Sequence, residues 1–169
     1  MRWIAASGMA LMLAGCATTG GNEAPPSGPI PTESESIRYQ TSGCFGRCPV
    51  YQVTVRPDGT GTFVGERFTQ VSGERDFTLT SAEYEAFKAK LAPYRPESGM
   101  RRIAPGTSEC ENVATDLPSV DISWTRPIGD SQSLYFYYGC DMEENAQMAQ
   151  DLGEAAELLP IQKLVGAQP

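Results

Sequence analysis

The chain has 169 residues, of which 40% are hydrophobic and 9% are aromatic, and its formal net charge at pH 7 is −8. These values are typical of one globular domain with a hydrophobic core and exclude a disordered chain. The acidic balance makes nucleic acid an unfavourable partner, because phosphate backbones repel an acidic surface. The absence of histidine removes the usual general base and the commonest zinc ligand, and we expect no cofactor.

Residues 1–15 are typical of a bacterial lipoprotein signal peptide. Arg2 precedes an apolar stretch at residues 3–13, which is shorter than the roughly 20 apolar residues that span a bilayer. The stretch leads into Leu-Ala-Gly-Cys at residues 13–16, which resembles a lipobox. We predict that Cys16 receives a diacylglyceryl group, that cleavage precedes it, and that the new amine is acylated, for instance with palmitate. An ordinary secretory cleavage after Ala17 is the alternative.

Residues 16–36 carry the lipidated cysteine and a segment rich in Gly, Pro, Ser and Thr. This composition predicts a disordered tether, and about 20 such residues have a root-mean-square reach of roughly 25 Å. The protein is therefore expected to be exported and held on the bacterial envelope by its lipid anchor. Because residue 17 is alanine and not aspartate, the outer membrane, on its periplasmic face, is the favoured location.

The globular domain is expected to span residues 37–160 and to begin with strands. Alternating apolar and polar residues predict an edge strand at 37–41 and a hairpin from 49–55 and 60–68, joined by a Pro-Asp-Gly turn. A further strand is predicted at 75–79. The run Thr80-Ser-Ala-Glu83 is a capping box that opens a helix ending near Leu91.

The second half repeats the order of hairpin and helix. Strands are predicted at 119–124 and 133–138, and Asp141 is predicted to cap a second helix. The residues predicted to form the buried stripe of that helix are Met148, Leu152, Ala155 and Leu159. The segment 93–118 shows no periodicity, and 161–169 is expected to be a C-terminal tail. The predicted fold class is α+β, with an antiparallel sheet built from two hairpins, each followed by a helix.

Four cysteines remain after Cys16, and an even number in an exported domain predicts disulfides. Three connectivities are open, and the favoured one joins Cys44 to Cys48 and Cys110 to Cys140. A redox site is the main alternative, although Cys44 and Cys48 are spaced C-x-x-x-C and precede a strand, whereas redox cysteines usually begin a helix as C-x-x-C. A four-thiolate zinc site is disfavoured by the irregular spacing.

The stretch C-F-G-R-C-P-V-Y at residues 44–51 resembles a bacterial family known only as a domain of unknown function, the type 6438 domain, often found in lipoproteins. Further likeness lies in D-G-T-G-T-F, V-S-G, T-D-L-P-S and Y-Y-G-C. The resemblance covers residues 37–159 and implies no established activity. The residues to which it points are Cys44, Phe45, Gly46, Cys48, Pro49, Tyr51, Asp58, Gly59, Gly73, Asp116, Pro118 and Gly139.

The sequence favours a non-enzymatic envelope lipoprotein that presents a disulfide-stapled domain to a periplasmic protein or to cell-wall material, since no catalytic set is evident. The first alternative is an envelope-glycan hydrolase that uses two paired carboxylates. Its candidate acids are Glu109, Glu111, Asp116 and Asp121. The second alternative is a periplasmic thiol–disulfide redox protein that uses Cys44 and Cys48.

Overall fold

The computed structural model describes residues 35–129 and 131–166. The predicted signal peptide, the lipidation site at Cys16 and nearly all of the predicted tether lie outside the described residues. Within these residues, no helix is long and apolar enough to cross a membrane.

One seven-stranded sheet organises the domain, with the spatial order β4-β3-β2-β1-β6-β7-β5. Five of its six neighbouring pairs are antiparallel, and only β5 and β7 run parallel. The strands are β1 Ser36–Thr41, β2 Val50–Val55, β3 Thr60–Arg67, β4 Gly73–Thr78, β5 Met100–Ile103, β6 Ser119–Thr125 and β7 Gln132–Tyr137.

Helices pack on one face of this sheet, and the other face carries polar side chains. The helices are α1 Ser81–Leu91, α2 Ala146–Ala155 and the short α3 Gln162–Val165. Strand residues such as Ile37, Val53 and Trp124 share one buried core with Phe87 of α1 and Leu152 of α2. The alternation of buried and half-buried residues along β1, β2 and β6 therefore produces a two-layer α+β domain.

On the uncovered face, Arg38 is the centre of a polar network across three strands. Its guanidinium donates to Gln40 and Gln52 at 3.0 and 3.3 Å, to the Ser123 hydroxyl at 3.2 Å, and to Asp121 at 2.7 Å. These partners lie on β1, β2 and β6. The network satisfies the donors of an arginine that lies on the middle strand of the sheet.

The local predictions of helix start and hairpin turn are confirmed. Thr80 and Glu83 form the capping box, with the Glu83 amide donating to the Thr80 hydroxyl at 3.2 Å and the Thr80 amide donating to the Glu83 carboxylate at 2.6 Å. Gly59 takes a φ of 83° in the turn between β2 and β3, a left-handed conformation that favours glycine. The predicted stripe of the second helix is also buried, at Met148, Leu152, Ala155 and Leu159.

The sheet is mostly antiparallel but does not consist of two hairpins. The first four strands form a continuous meander, and the segment 93–118, which shows no periodicity in the sequence, contains β5. The first strand, predicted at an edge, is central, since it pairs with β2 on one side and with β6 on the other. The register of Ile37 with Val55 and with Trp124 explains this position, because both neighbours bury apolar side chains on the same face.

The predictions for the end of the domain are corrected in two places. Asp141 does not cap α2, which begins after Asn145. Instead the Asp141 carboxylate accepts from the backbone amides of Glu111 and Asn112 at 2.8 and 2.7 Å. The predicted tail contains α3, and Ile161 and Val165 are buried, so the described chain remains in the core as far as Val165.

Glu35 fixes the point at which the described chain enters the fold. Its carboxylate is bound by the Arg95 guanidinium through two bonds, at 2.9 and 2.6 Å, and by Arg126 at 3.3 Å. The Glu35 carbonyl accepts from the Tyr84 hydroxyl at 2.8 Å. A carboxylate with only 8% of its side chain exposed is stable in this position because arginine supplies a two-pronged, charge-assisted partner.

Candidate functional site

A groove lies between α2 and the end of the sheet where β1 stops and β2 starts. It consists of two adjoining cavities of about 370 and 470 Å³ that share Tyr51, Gly153 and Glu157. We call it the tyrosine groove. The other side chains that define it are Tyr39, Cys48, Pro49, Pro118, Tyr138 and Gln150.

Three tyrosines, from β1, from β2 and from the turn after β7, meet along the inner wall of this groove. Tyr51 stacks on Phe63 with ring centroids 5.6 Å apart and lies 6.4 Å from Tyr39. The Tyr39 hydroxyl donates to the Leu152 carbonyl of α2 at 3.0 Å. Tyr138 makes an edge-to-face contact with Phe136 at 5.1 Å. Packed aromatic rings hold the hydroxyl groups in fixed positions.

The Tyr51 hydroxyl differs from that of Tyr39 because it has no hydrogen-bond partner among the described residues. Tyr51 as a whole is only 5% exposed. In the described part of the chain, every side-chain polar atom that is fully buried has a hydrogen-bond partner, so a hydroxyl without a partner is not fully buried. The hydroxyl must therefore reach the surface of the groove that Tyr51 lines. A hydroxyl group that reaches the groove without a protein partner is available to a ligand or to water.

The three hydroxyl groups keep their protons at physiological pH. Burial raises the pKa of Tyr39 and of Tyr51 well above the usual value, and the neighbouring Tyr138 adds to both effects. Burial also raises the pKa of Tyr138 to about 12. Each hydroxyl can therefore both donate and accept a hydrogen bond.

The outer wall of the groove comes from α2 and from the 3₁₀ turn Ala156–Leu158 that follows it. Gly153 has no side chain to fill the space, and a Cβ placed there would meet the Tyr138 hydroxyl at 3.9 Å. Glycine inside a helix costs about 1 kcal/mol relative to alanine. The open space beside the tyrosines is one consequence of this residue.

The loop from Cys44 to Cys48 borders the groove at its open side. The structure joins these cysteines, which have Cα atoms 5.7 Å apart, and this is the pairing favoured from the sequence. Phe45 projects from the five-residue ring and is 87% exposed, while its amide donates to the Asp116 carbonyl at 3.0 Å. Two stretches that lie far apart in sequence therefore hold this loop in place.

The residues singled out by the resemblance divide into four groups. Cys48, Pro49, Tyr51 and Pro118 line the groove, and Cys44, Phe45, Gly46 and Asp116 form or hold the loop beside it. Gly139 permits a close approach, since a Cβ there would clash with the Ala114 carbonyl and the Tyr137 ring. Asp58 and Gly59 lie in the turn between β2 and β3, and Gly73 begins β4; none of the three is among the groove residues.

The second disulfide stabilises a region outside the groove lining. Cys110 and Cys140 are joined with Cα atoms 4.8 Å apart, and both are buried. This bridge connects the segment between β5 and β6 to the turn after β7, where Val113 also pairs with Cys140 in an isolated bridge. The Asp141 carboxylate bound to residues 111 and 112 lies beside it and has a lowered pKa, because the Asn112 and Glu111 amides stabilise its charged form.

The four acids proposed for glycan hydrolysis do not meet at one place, since Glu109 and Glu111 line one surface cavity and Asp116 and Asp121 lie outside it. Asp121 pairs with Arg38 at 2.7 Å on the uncovered face of the sheet, and Glu109 pairs with Arg101 at 2.6 Å. Glu111 and Asp116 are exposed on the surface. None of the four lines the tyrosine groove. In the described part of the chain, no three His, Cys, Asp or Glu side chains form a group that could hold a metal ion.

A protein-family model matches residues 35–156. The chain belongs to the DUF6438 family, a domain of unknown function. The matched region contains all seven strands, α1 and α2, so the sheet and most of the tyrosine groove are parts of the DUF6438 domain. Among curated proteins, none matches the chain.

Four residues of the DUF6438 groove were not predicted from the sequence: Tyr39, Tyr138, Gly153 and Glu157. Gly153 could have been identified from the sequence, because an isolated glycine within a helical pattern is frequently retained for a packing or functional reason. Nothing in the sequence distinguished the two tyrosines, since a tyrosine in a predicted strand is usually part of a half-buried sheet face. Glu157 follows α2 and resembles any other acid on an acidic protein.

Proposed function

We propose that this DUF6438 protein is a lipid-anchored protein of the bacterial envelope that binds a partner non-enzymatically in the tyrosine groove. The N-terminal sequence supports anchoring at Cys16 with the periplasmic face of the outer membrane as the location. The C-F-G-x-C-P-x-Y signature supplies one border of the groove and part of its wall. The partner is a periplasmic protein or cell-wall material.

One observation carries the proposal of binding. Residues of the signature at 44–51, together with Asp116 and Pro118, come together around a single cavity, although about 65 residues separate them in sequence. Concave surfaces with a few fixed polar groups are the usual form of ligand sites in proteins. The tyrosine hydroxyls, Gln150 and Glu157 are such groups.

Crosslinking in the native host tests the binding. A photoreactive amino acid placed at Gln150, which is exposed and lines the groove, should give a discrete crosslinked product. Gly153→Leu should abolish that product by filling the groove, whereas Gly153→Ala should retain it, because the added Cβ makes only an ordinary contact with Tyr138. A product that persists in the leucine variant would disprove binding in the groove.

Mass spectrometry of protein isolated from the same host tests the anchoring. The mature chain should begin at residue 16 and should carry the mass of a diacylglyceryl group and an acyl chain there. Cys16→Ser should release the protein from the membrane fraction or leave the precursor uncleaved. An unmodified Cys16 in the wild-type protein would disprove the lipid anchor while leaving the crosslinking result unaffected.

A further inference from the structure

The charged side chains that line the tyrosine groove are acidic. Among the described residues, no lysine or arginine lines either of its two cavities, and the charged residues that do are Glu154 and Glu157. Glu154 is paired with Lys90 at 2.9 Å. Glu157 is exposed and forms no ion pair with another described residue, so its charge is available to a ligand.

The Tyr51 hydroxyl supplies a second, independent contact for a ligand. It belongs to a side chain that is 95% buried, has no partner among the described residues, and reaches the same surface as Glu157. Proximity of the two groups is also evident in the pKa of Tyr51, which the Glu157 charge helps to raise after burial and Tyr138. The Tyr51 hydroxyl and the unpaired Glu157 carboxylate therefore face the same cavity, where one ligand can contact both.

The shape of the groove favours an elongated occupant. Its two cavities adjoin at Tyr51 and Gly153, which line both, and together their linings extend from Pro118 and Cys48 to Gly166 beyond α3. A peptide segment presents backbone amides and carbonyls along its length, which can pair with the tyrosine hydroxyl and Gln150. The carboxylate then selects for a cationic side chain through charge complementarity.

We infer that the tyrosine groove binds a polypeptide segment through a basic side chain, with the Glu157 carboxylate pairing with the cation and the Tyr51 hydroxyl bonding to the segment beside it. This inference rests on the proposed function and specifies its ligand. The partner is thereby a protein or peptide with an accessible lysine or arginine, and not a neutral glycan.

Two short peptides provide the test with the full-length chain, solubilised in detergent. The first is acetyl-Ala-Lys-Ala-amide, and the second replaces lysine with norleucine, which has a similar length and no charge. Titrations followed by nuclear magnetic resonance should show shifts at Gly153 and Tyr51 and tighter binding of the lysine peptide. Its affinity should fall as salt rises, because an exposed pair is screened.

Two substitutions locate the contacts. Glu157→Gln should weaken lysine-peptide binding about threefold to fivefold, the effect typical of one solvent-exposed ion pair. Glu143→Gln makes the same change of charge at an exposed position outside the groove and should leave binding unchanged. Tyr51→Phe keeps the ring that stacks on Phe63 and should weaken both peptides about equally, because it removes only the hydroxyl.

Three results would overturn the inference. The first is equal binding of the lysine and norleucine peptides. The second is equal weakening by Glu157→Gln and Glu143→Gln, which would mean that the cation responds only to the net charge. The third is displacement of the lysine peptide by a neutral chitin oligosaccharide in a folded protein. If the Gln150 crosslink forms and the lysine peptide fails to bind, binding in the groove stands and the basic ligand is wrong. Loss of both disproves both.

Discussion

The two disulfides should contribute unequally to the stability of the domain. We consider the paired variants Cys110→Ala/Cys140→Ala and Cys44→Ala/Cys48→Ala. Alanine is the suitable replacement, because Cys110 and Cys140 are buried and serine would bring an unpaired hydroxyl into the core. Each double variant removes one bridge and leaves the other intact.

The magnitudes follow from the length of chain that each bridge closes. The separation between Cys110 and Cys140 is 30 residues, and loop-closure entropy at 25 °C then corresponds to about 3.7 kcal/mol of the free energy of unfolding. The separation of 4 residues between Cys44 and Cys48 corresponds to about 2 kcal/mol. The expected difference between the two variants is therefore about 1.7 kcal/mol. Loss of buried sulfur at Cys110 and Cys140 adds to this difference.

Urea denaturation of the oxidised proteins, followed by tryptophan fluorescence, measures both values. The midpoint should fall further for the Cys110 and Cys140 variant than for the Cys44 and Cys48 variant. The m-value should rise in both, because a chain without the bridge exposes more surface when it unfolds. If the variant lacking the short bridge loses more free energy than the other, the loop-length reasoning is refuted.

Two further predictions concern ionic contacts. Glu35→Gln should lower the free energy of unfolding by about 2 kcal/mol, because it leaves the half-buried Arg95 guanidinium without its charged partner. The control Glu97→Gln, at an exposed position, should change the free energy of unfolding by less than about 0.5 kcal/mol. Equal losses in the two variants would contradict a stabilising role of the Glu35 carboxylate. Hydrogen bonds from Lys90 and then Tyr94 lower the pKa of Asp151 from 3.8 to about 2, so its stabilising effect is complete above the unfolded pKa and disappears as the pH falls through the folded value. Asp151→Asn should therefore flatten the acid side of the stability profile between about pH 4 and pH 2, measured by urea midpoints in that range, and an unchanged slope would contradict the assignment.

Features that depend on neighbouring residues were predictable from the sequence. The capping box depends only on Thr80 and Glu83. The turn between β2 and β3 depends only on a glycine at position 59, which adopts a positive φ without strain. The alternation of apolar and polar residues predicted β2, β6 and β7, because each of these strands buries one of its two faces against the helices. The stripe through Leu152 followed from helical spacing in the same way.

Features that depend on distant partners were not predictable. The strand β5 contains two consecutive arginines and forms only because β7, about thirty residues later, pairs with it. The central position of β1 depends on β6, more than eighty residues away. Asp141 has the local pattern of a helix cap, but amides at 111 and 112, brought close by the adjacent disulfide, bind it instead.

The candidate site shows the same division. The resemblance pointed to Cys48, Pro49, Tyr51 and Pro118, and these residues line the groove. It gave no indication that α2 would form the opposite wall. Gly153 and Glu157 became relevant only when tertiary packing brought them to the tyrosines.

The position of β1 has a mechanical consequence for the lipid-anchored protein that we propose. The predicted tether joins the fold at the start of β1, a strand bonded along both sides to β2 and β6. Tension applied at that end acts along the strand, so it loads two antiparallel ladders in shear, and their hydrogen bonds must fail together and not one after another. In that proposed anchored state, β1 is placed to withstand a pull that reaches the domain through the tether.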